Sequence, residues 1–125
     1  MVVFFCDRNL GHRVPRLLAD DGWSVEIHDD HFEQTTSDTD LLAELGERGW
    51  VLLTQDDRMR YRTPERQAYL AAGLRVFVAT TANMTAQDTA EVFIHARSRI
   101  ERVVEAQSGP FIYSVRKNSA IHRLD

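Results

Sequence analysis

The sequence predicts an α/β protein, a mainly parallel sheet with helices packed over it. Short apolar runs alternate with helical stretches along the chain, the pattern of β-α units. Residues 50–54 are a continuous apolar run, as expected of a central strand buried on both faces. Gly22, Gly49 and Gly73 each follow a helical stretch and supply its stop.

The elements follow in order. Val2-Val3-Phe4-Phe5-Cys6 reads as the first strand. A helix over 14–21 comes next, with Pro15 tolerated in its first turn and Val14, Leu17 and Leu18 on one face. Residues 23–27 alternate as a second strand, and the polar residues 28–36 as a loop. A helix over 38–48 ends near Gly49 and leads to the strand 50–54. Thr63 is expected to cap a helix with Pro64 at its first position, and 75–79 is the next strand. Thr85-x-x-Asp88 is a capping-box pattern opening the longest helix, whose Phe93, Ile94, Ile100, Val103 and Val104 face the core. Residues 111–115 are expected to be the last strand, and 118–125 a tail.

The 125 residues suit one domain over 1–125, with about two thirds of the unfolded surface buried. No apolar run reaches membrane-spanning length, and the first residues lack a signal-peptide pattern, so a cytoplasmic location is expected. Cys6 is the only cysteine, which excludes an intrachain disulfide and a cysteine-based zinc site. The net charge of −4 argues against a nucleic-acid partner until its distribution is considered. Arg58, Arg60, Arg62 and Arg66 cluster directly after Asp56. Compositional bias also accounts for part of that cluster, since Lys117 is the only lysine.

Three aspartates carry the functional reading. Asp7 follows the first strand, Asp56 follows the third, and Asp38 opens the helix between them. If those strands are parallel neighbours, the three carboxylates meet at one sheet edge, where α/β proteins build their sites. Like charges there repel by roughly 1–4 kcal/mol per pair at ~4 Å, so protons or a cation must compensate them. A divalent metal site is the expectation. The structural alternatives are a turn-starting role for Asp7 and a solvated loop for Asp56 and Asp57. At 100° per residue Asp38 shares a face with Leu41, Leu42 and Leu45, whereas Asp40 lies opposite and fits Ser37-x-x-Asp40 as a cap. Thr54 alternates onto the side of Asp56 and is expected to support its carboxylate. His28-Asp29-Asp30-His31 reads as polar surface rather than a metal site, with His31 an auxiliary substrate contact at most.

Phe4-Phe5-Cys6-Asp7-Arg8-Asn9-Leu10-Gly11, then Ser37-Asp38-Thr39-Asp40-Leu41-Leu42, then Gly49-Trp50-Val51-Leu52-Leu53-Thr54-Gln55-Asp56 follow one another along the chain. Together these three segments resemble the PIN-like domain family, in particular its compact VapC-type toxins. The likeness continues through Glu65-Arg66 and Arg75-Val76-Phe77-Val78. It implies a three-layer α/β/α Rossmann-like fold and cleavage of RNA with magnesium or manganese. By position it implies that Asp7, Asp38 and Asp56 are the catalytic metal-binding carboxylates, with Asp57 or Asp40 left to supply a fourth acid. Arg8, Arg58 and Arg60 are then expected to attract the RNA backbone. A cognate antitoxin protein and a homodimer are the implied partners. A phosphoryl-accepting receiver domain fits less well, because Asp7 is followed by Arg8 and Lys117 lies near the end. A catalytically inert PIN-like module that binds RNA or protein is the alternative.

Overall fold

The computed structural model describes residues 2–80 and 84–125. Among them the order is β1 (Phe4–Cys6), α1 (Arg13–Asp20), β2 (Val25–Ile27), α2 (Asp38–Arg48), β3 (Val51–Thr54), α3 (Thr63–Ala72), β4 (Arg75–Ala79), α4 (Ala86–Ala106), β5 (Phe111–Val115) and β6 (Ile121–Arg123). The strands form one sheet in the order β2-β1-β3-β4-β5-β6, parallel except for β6. From β1 the chain goes out to β2 on one side and returns to β3 on the other. The switch point therefore lies between the C-terminal ends of β1 and β3, the place where such sheets bind ligands.

Side-chain alternation along β1 separates the two helical layers. Phe4 and Cys6 join the cluster that holds Leu18 of α1 and Phe93, Ala96 and Ile100 of α4. Phe5 faces the other way, onto Leu41, Leu42 and Leu45 of α2 and Tyr69 of α3. Both faces of the sheet are thus covered, and all four β3 residues are buried. Each fully buried large apolar side chain, such as Phe5 or Leu53, contributes about 1.5–3 kcal/mol. No helix among the described residues is long and apolar enough to cross a membrane.

Local chemistry sets the element ends. Ser37 caps α2 by accepting the Asp40 N–H at 3.2 Å, and Gly49 ends it in the left-handed region at φ 68°. Thr85 caps α4 by accepting the Asp88 N–H at 3.1 Å. Gly46 is required by close approach: a Cβ there would lie 2.7 Å from the Ala72 carbonyl oxygen and 2.5 Å from the Ala72 Cβ. Gly46→Ala should therefore force α2 away from α3 and destabilise by about 1–3 kcal/mol in urea unfolding.

Four expectations need correction. The first two strands are shorter than predicted. Val2 and Val3 precede the β1 ladder, although the Val3 carbonyl still accepts the Val51 N–H at 2.9 Å. Trp23 serves the core instead of β2, tilted against Phe4 at 4.9 Å with its indole N–H on Asp21. The loop expected over 28–36 contains a 3₁₀ turn, His28–Asp30. Thr63 is the first residue of α3 rather than its cap; Arg62 precedes it, with no side-chain cap bond.

The expected tail is the fourth correction. Residues 121–123 are β6, an antiparallel edge strand on β5 reached through a turn at Ser119 with φ 68°. Beyond it, the side chain of Asp125 is only 15% exposed. Its carboxylate accepts hydrogen bonds from the buried Tyr69 hydroxyl and, at 3.2 Å, from the Ile112 N–H. Partial burial opposes ionisation of Asp125, yet Tyr69, Ile112 and Arg123 hold its carboxyl below the usual range. That stability is present above the usual carboxylate pKa and lost as pH falls through the lowered one. Asp125→Ala should orphan the Tyr69 hydroxyl and destabilise by about 1–3 kcal/mol at neutral pH, read by chemical unfolding.

Candidate functional site

Asp7 is delivered by the end of β1, and its N–H donates to the Leu53 carbonyl of β3 at 2.9 Å. Its carboxylate is fixed by local donors. One oxygen accepts the Arg8 N–H at 2.7 Å and the other the Thr54 hydroxyl at 2.9 Å. Thr54 is wholly buried and works as a hub. Its oxygen accepts from the Asn9 amide at 2.9 Å and from the Asp56 N–H at 3.0 Å. The Asn9 carbonyl in turn accepts the Gln55 N–H at 3.2 Å. The hydroxyl thus supports the Asp7 carboxylate and only the backbone of Asp56, whereas the sequence suggested support of the Asp56 carboxylate.

Asp56 turns toward Arg58. The guanidinium grips its carboxylate with Nε at 2.8 Å and Nη2 at 2.6 Å, and the Arg58 N–H adds a bond at 2.9 Å. Asp38, at the first turn of α2, and Glu65, at the first turn of α3, complete the acidic lining. Asp7, Asp38, Asp56 and Glu65 surround one cavity of about 60 Å³, with Arg58 and Arg62 at its edge. Leu41, Leu42, Leu52 and Met59 form the apolar part of its wall. The volume suits a small ion with a few waters, not a nucleotide.

The electrostatics follow from this packing. Burial pushes the Asp7 carboxyl above its usual range, and the nearby charges of Asp38 and Asp56 push the same way. The Thr54 and Arg8 hydrogen bonds oppose that shift without cancelling it. The Arg58 guanidinium holds the Asp56 carboxyl below its usual range. The two strand-end aspartates therefore differ: Asp7 resists ionisation, and Asp56 is ionised and already paired.

Placement of the other expected residues is mixed. Asp57 lies away from the cavity, in a separate cleft with Thr80, Ser114 and Lys117. Asp40 is the residue whose N–H Ser37 caps. Arg60 is not among the cavity's lining residues; its carbonyl accepts from Arg66 at 3.0 Å. Arg8 reaches into a neighbouring cleft and donates to Gln34 at 2.9 Å. His31 is held by Glu26 at 3.2 Å and Arg48 at 3.0 Å and packs on Trp50, so it serves structure rather than substrate. His28, read from sequence as polar surface, is buried at 2% exposure.

Sequence reasoning did not assign Glu65, Arg62 or Asn9 to the site. Glu65 had a usable signal, because Thr63-Pro64-Glu65 marks a helix start and puts an acid in the first turn. Only the docking of α3 beside α2 shows that this turn opens onto the same cavity.

The donor set fits a hard divalent cation. Four carboxylates converge, and one of them carries its charge at a penalty that a cation would relieve. Among the described residues no three His, Cys, Asp or Glu side chains stand close enough to hold one ion jointly. Magnesium needs no such cage, since it keeps several waters and binds through one or two carboxylates.

Comparison with known proteins agrees with this architecture. A family model for the PIN-like domain matches residues 2–81, the stretch from β1 past the end of β4. A Mycobacterium tuberculosis protein named as a candidate ribonuclease, VapC45, is 32% identical over 125 aligned positions. The alignment covers 96% of this chain and 90% of that protein. No solved structure gives a significant match. With the switch-point aspartates on a mostly parallel six-stranded sheet and the family model matching more than half its length, the chain belongs to the PIN-like domain family.

Proposed function

We propose that the chain is a metal-dependent endoribonuclease, the toxin of a toxin–antitoxin pair acting in the cytoplasm. The observation that carries this reading is the convergence of Asp7, Asp38, Asp56 and Glu65 on one cavity at the β1/β3 switch point. The family membership and the name of the Mycobacterium tuberculosis relative support it. A single domain over 1–125 and a cognate antitoxin belong to the same reading, with homodimerisation as a further expectation.

Magnesium or manganese would sit among Asp7, Asp38, Asp56 and Glu65, bound directly by one or two of these carboxylates and through its waters by the others. When bound, the ion supplies an activated water for in-line attack on phosphorus and charge to offset the developing transition state. This chain's own residues do the positioning. Thr54 and the Arg8 N–H fix the Asp7 carboxylate in one orientation before any ligand arrives. Asn9 braces Thr54 and ties it to the turn that carries Asp56. Arg58 and Arg62 offset the acids' repulsion of the phosphate backbone. Asp57 and Arg60 are set aside in favour of Glu65 and Arg62, because only the latter pair lines the cavity.

The test is cleavage of a mixed-sequence RNA with manganese present and with chelator. Cleavage should appear only with the metal. Glu65→Gln should lower it by about tenfold, the effect typical of a residue supporting a metal site. Asp57→Asn should leave it unchanged. A metal-independent nuclease, or equal losses for the two variants, would overturn the assignment.

One observation favours the competing reading, a catalytically inert RNA- or protein-binding module: Arg58 already takes both oxygens of Asp56. Calorimetry with manganese separates the two, since the inert module should show no binding heat.

A further inference from the structure

The acidic cavity has room for a small ion with a few waters, so a nucleoside flanking a phosphate bound there must lie outside it. The turn at its mouth runs Arg-Met-Arg-Tyr-Arg over residues 58–62, and Arg58, Met59 and Arg62 line the cavity. Met59 is buried with the leucines of α2 and anchors the turn from inside. The Arg58 carbonyl accepts the Tyr61 N–H at 3.1 Å and the Arg62 N–H at 2.9 Å. Arg66 donates to the Arg60 carbonyl at 3.0 Å. The turn is therefore set before any ligand arrives.

Tyr61 projects from this turn. It is 62% exposed, the only exposed Phe, Tyr or Trp among the described residues. Its hydroxyl end and the Asp38 carboxylate both lie within electrostatic reach of the Arg58 guanidinium, which puts the ring at the cavity's mouth. Elsewhere the rings that meet an arginine are already covered. Arg48 lies over Phe32 at 5.3 Å and over Trp50 at 4.8 Å, and Arg97 over Trp23 at 5.5 Å. An exposed tyrosine by itself is ordinary surface. This one stands among four arginines within nine residues, on a braced turn beside the acids. Its chain neighbours Arg60, Arg62 and Thr63 are polar, so no apolar patch continues along the chain for a protein partner to bury. Cations that follow a phosphate backbone, with an aromatic face between them, are the composition of a single-strand binding surface.

We propose that the Tyr61 ring is the stacking platform for the nucleobase that flanks the phosphate at the acidic cavity. The choice of RNA as the ligand rests on the function proposed above; the exposed ring among arginines does not. Stacking accepts every base, so Tyr61 adds affinity and placement with little sequence preference. It also selects unpaired RNA, whose bases are free to leave their own stack.

The test uses the full chain in chelator, where no RNA is cut. Two end-labelled probes are titrated by fluorescence anisotropy: a single-stranded oligoribonucleotide and a ribose-phosphate oligomer of equal length without bases. Tyr61→Ala should weaken binding of the first about tenfold and leave its salt slope at the parent's value. Binding of the baseless oligomer should not change, and the melting temperature should match the parent's because the ring is exposed. Tyr61→Trp should restore the affinity, and its added fluorescence should be quenched by the oligoribonucleotide and not by the baseless oligomer. Equal weakening for both probes, or a shallower salt slope, would overturn the proposal by marking displaced arginines instead. Unchanged affinity in Tyr61→Ala would overturn it too and leave the ring to a protein contact. Base-dependent binding through Tyr61 without metal-dependent cleavage would keep the platform and sink the ribonuclease. Cleavage by a parent whose binding ignores Tyr61 would do the reverse, and a parent that binds neither probe sinks both.

Discussion

Asp7→Asn should abolish metal-dependent RNA cleavage, by about two orders of magnitude or more, while the domain stays folded. That figure is the top of the roughly 10–100-fold range lost when a residue merely supporting a metal ligand is removed, and a direct ligand should cost at least as much. The fold should survive because the charge is not what holds Asp7 in place. Its burial raises the carboxyl above the usual value of 3.8, so the folded state retains this proton where the unfolded chain has released it. Stability linked to that proton is fully present below about 3.8 and is lost as pH rises through the raised folded value. At neutral pH and without metal, the ionised Asp7 therefore weighs against the fold. Asparagine keeps the shape and removes the charge. In chelator its melting temperature should be no lower than the parent's, and manganese should raise the melting temperature of the parent alone. Normal cleavage by the variant would remove Asp7 from the chemistry. A markedly lower melting temperature in chelator would show that burial does not strain this carboxylate.

The sheet was legible because its cause is local. A strand buried on both faces must be apolar throughout, and residues 51–54 are, up to the threonine that turns into the site. Helical phase separated Asp38 from Asp40 for the same reason, since three leucines fix which side of α2 is inward. What stayed hidden depends on contacts distant in sequence. β6 has three residues and one apolar side chain, so only its pairing with β5 identifies it. Glu65 reaches the cavity through the packing of α3 on α2, which no spacing records. His28 sits in a polar run and becomes buried because the chain folds Phe32 back beside it. The partner of the Thr54 hydroxyl could not be read for the same reason. Asp7 is distant from Thr54 in sequence, and only the pairing of β1 with β3 brings its carboxylate to the one proton the hydroxyl can give.

Arg58→Ala should tighten manganese binding several-fold and weaken RNA binding at the same time. Arg58 now acts as the counter-ion of Asp56, with two guanidinium contacts and a backbone N–H on one carboxylate. An incoming cation must share or displace that grip. Without it, the cavity's four acids face one arginine instead of two, and Asp56 regains free oxygens. The same change removes a positive charge from the path of the phosphate backbone. The slope of RNA affinity against salt should then become shallower by about one, the signature of a single lost phosphate contact. Arg58→Lys separates the two roles. Lysine keeps the charge but cannot fork onto a carboxylate, so the salt slope should stay near the parent's while manganese affinity still rises. Unchanged manganese affinity in both variants would mean that Arg58 leaves Asp56 free in solution. If manganese binding tightens and neither the parent nor the variants cleave RNA, the inert module is the better reading, with Arg58 locking a site that no longer turns over.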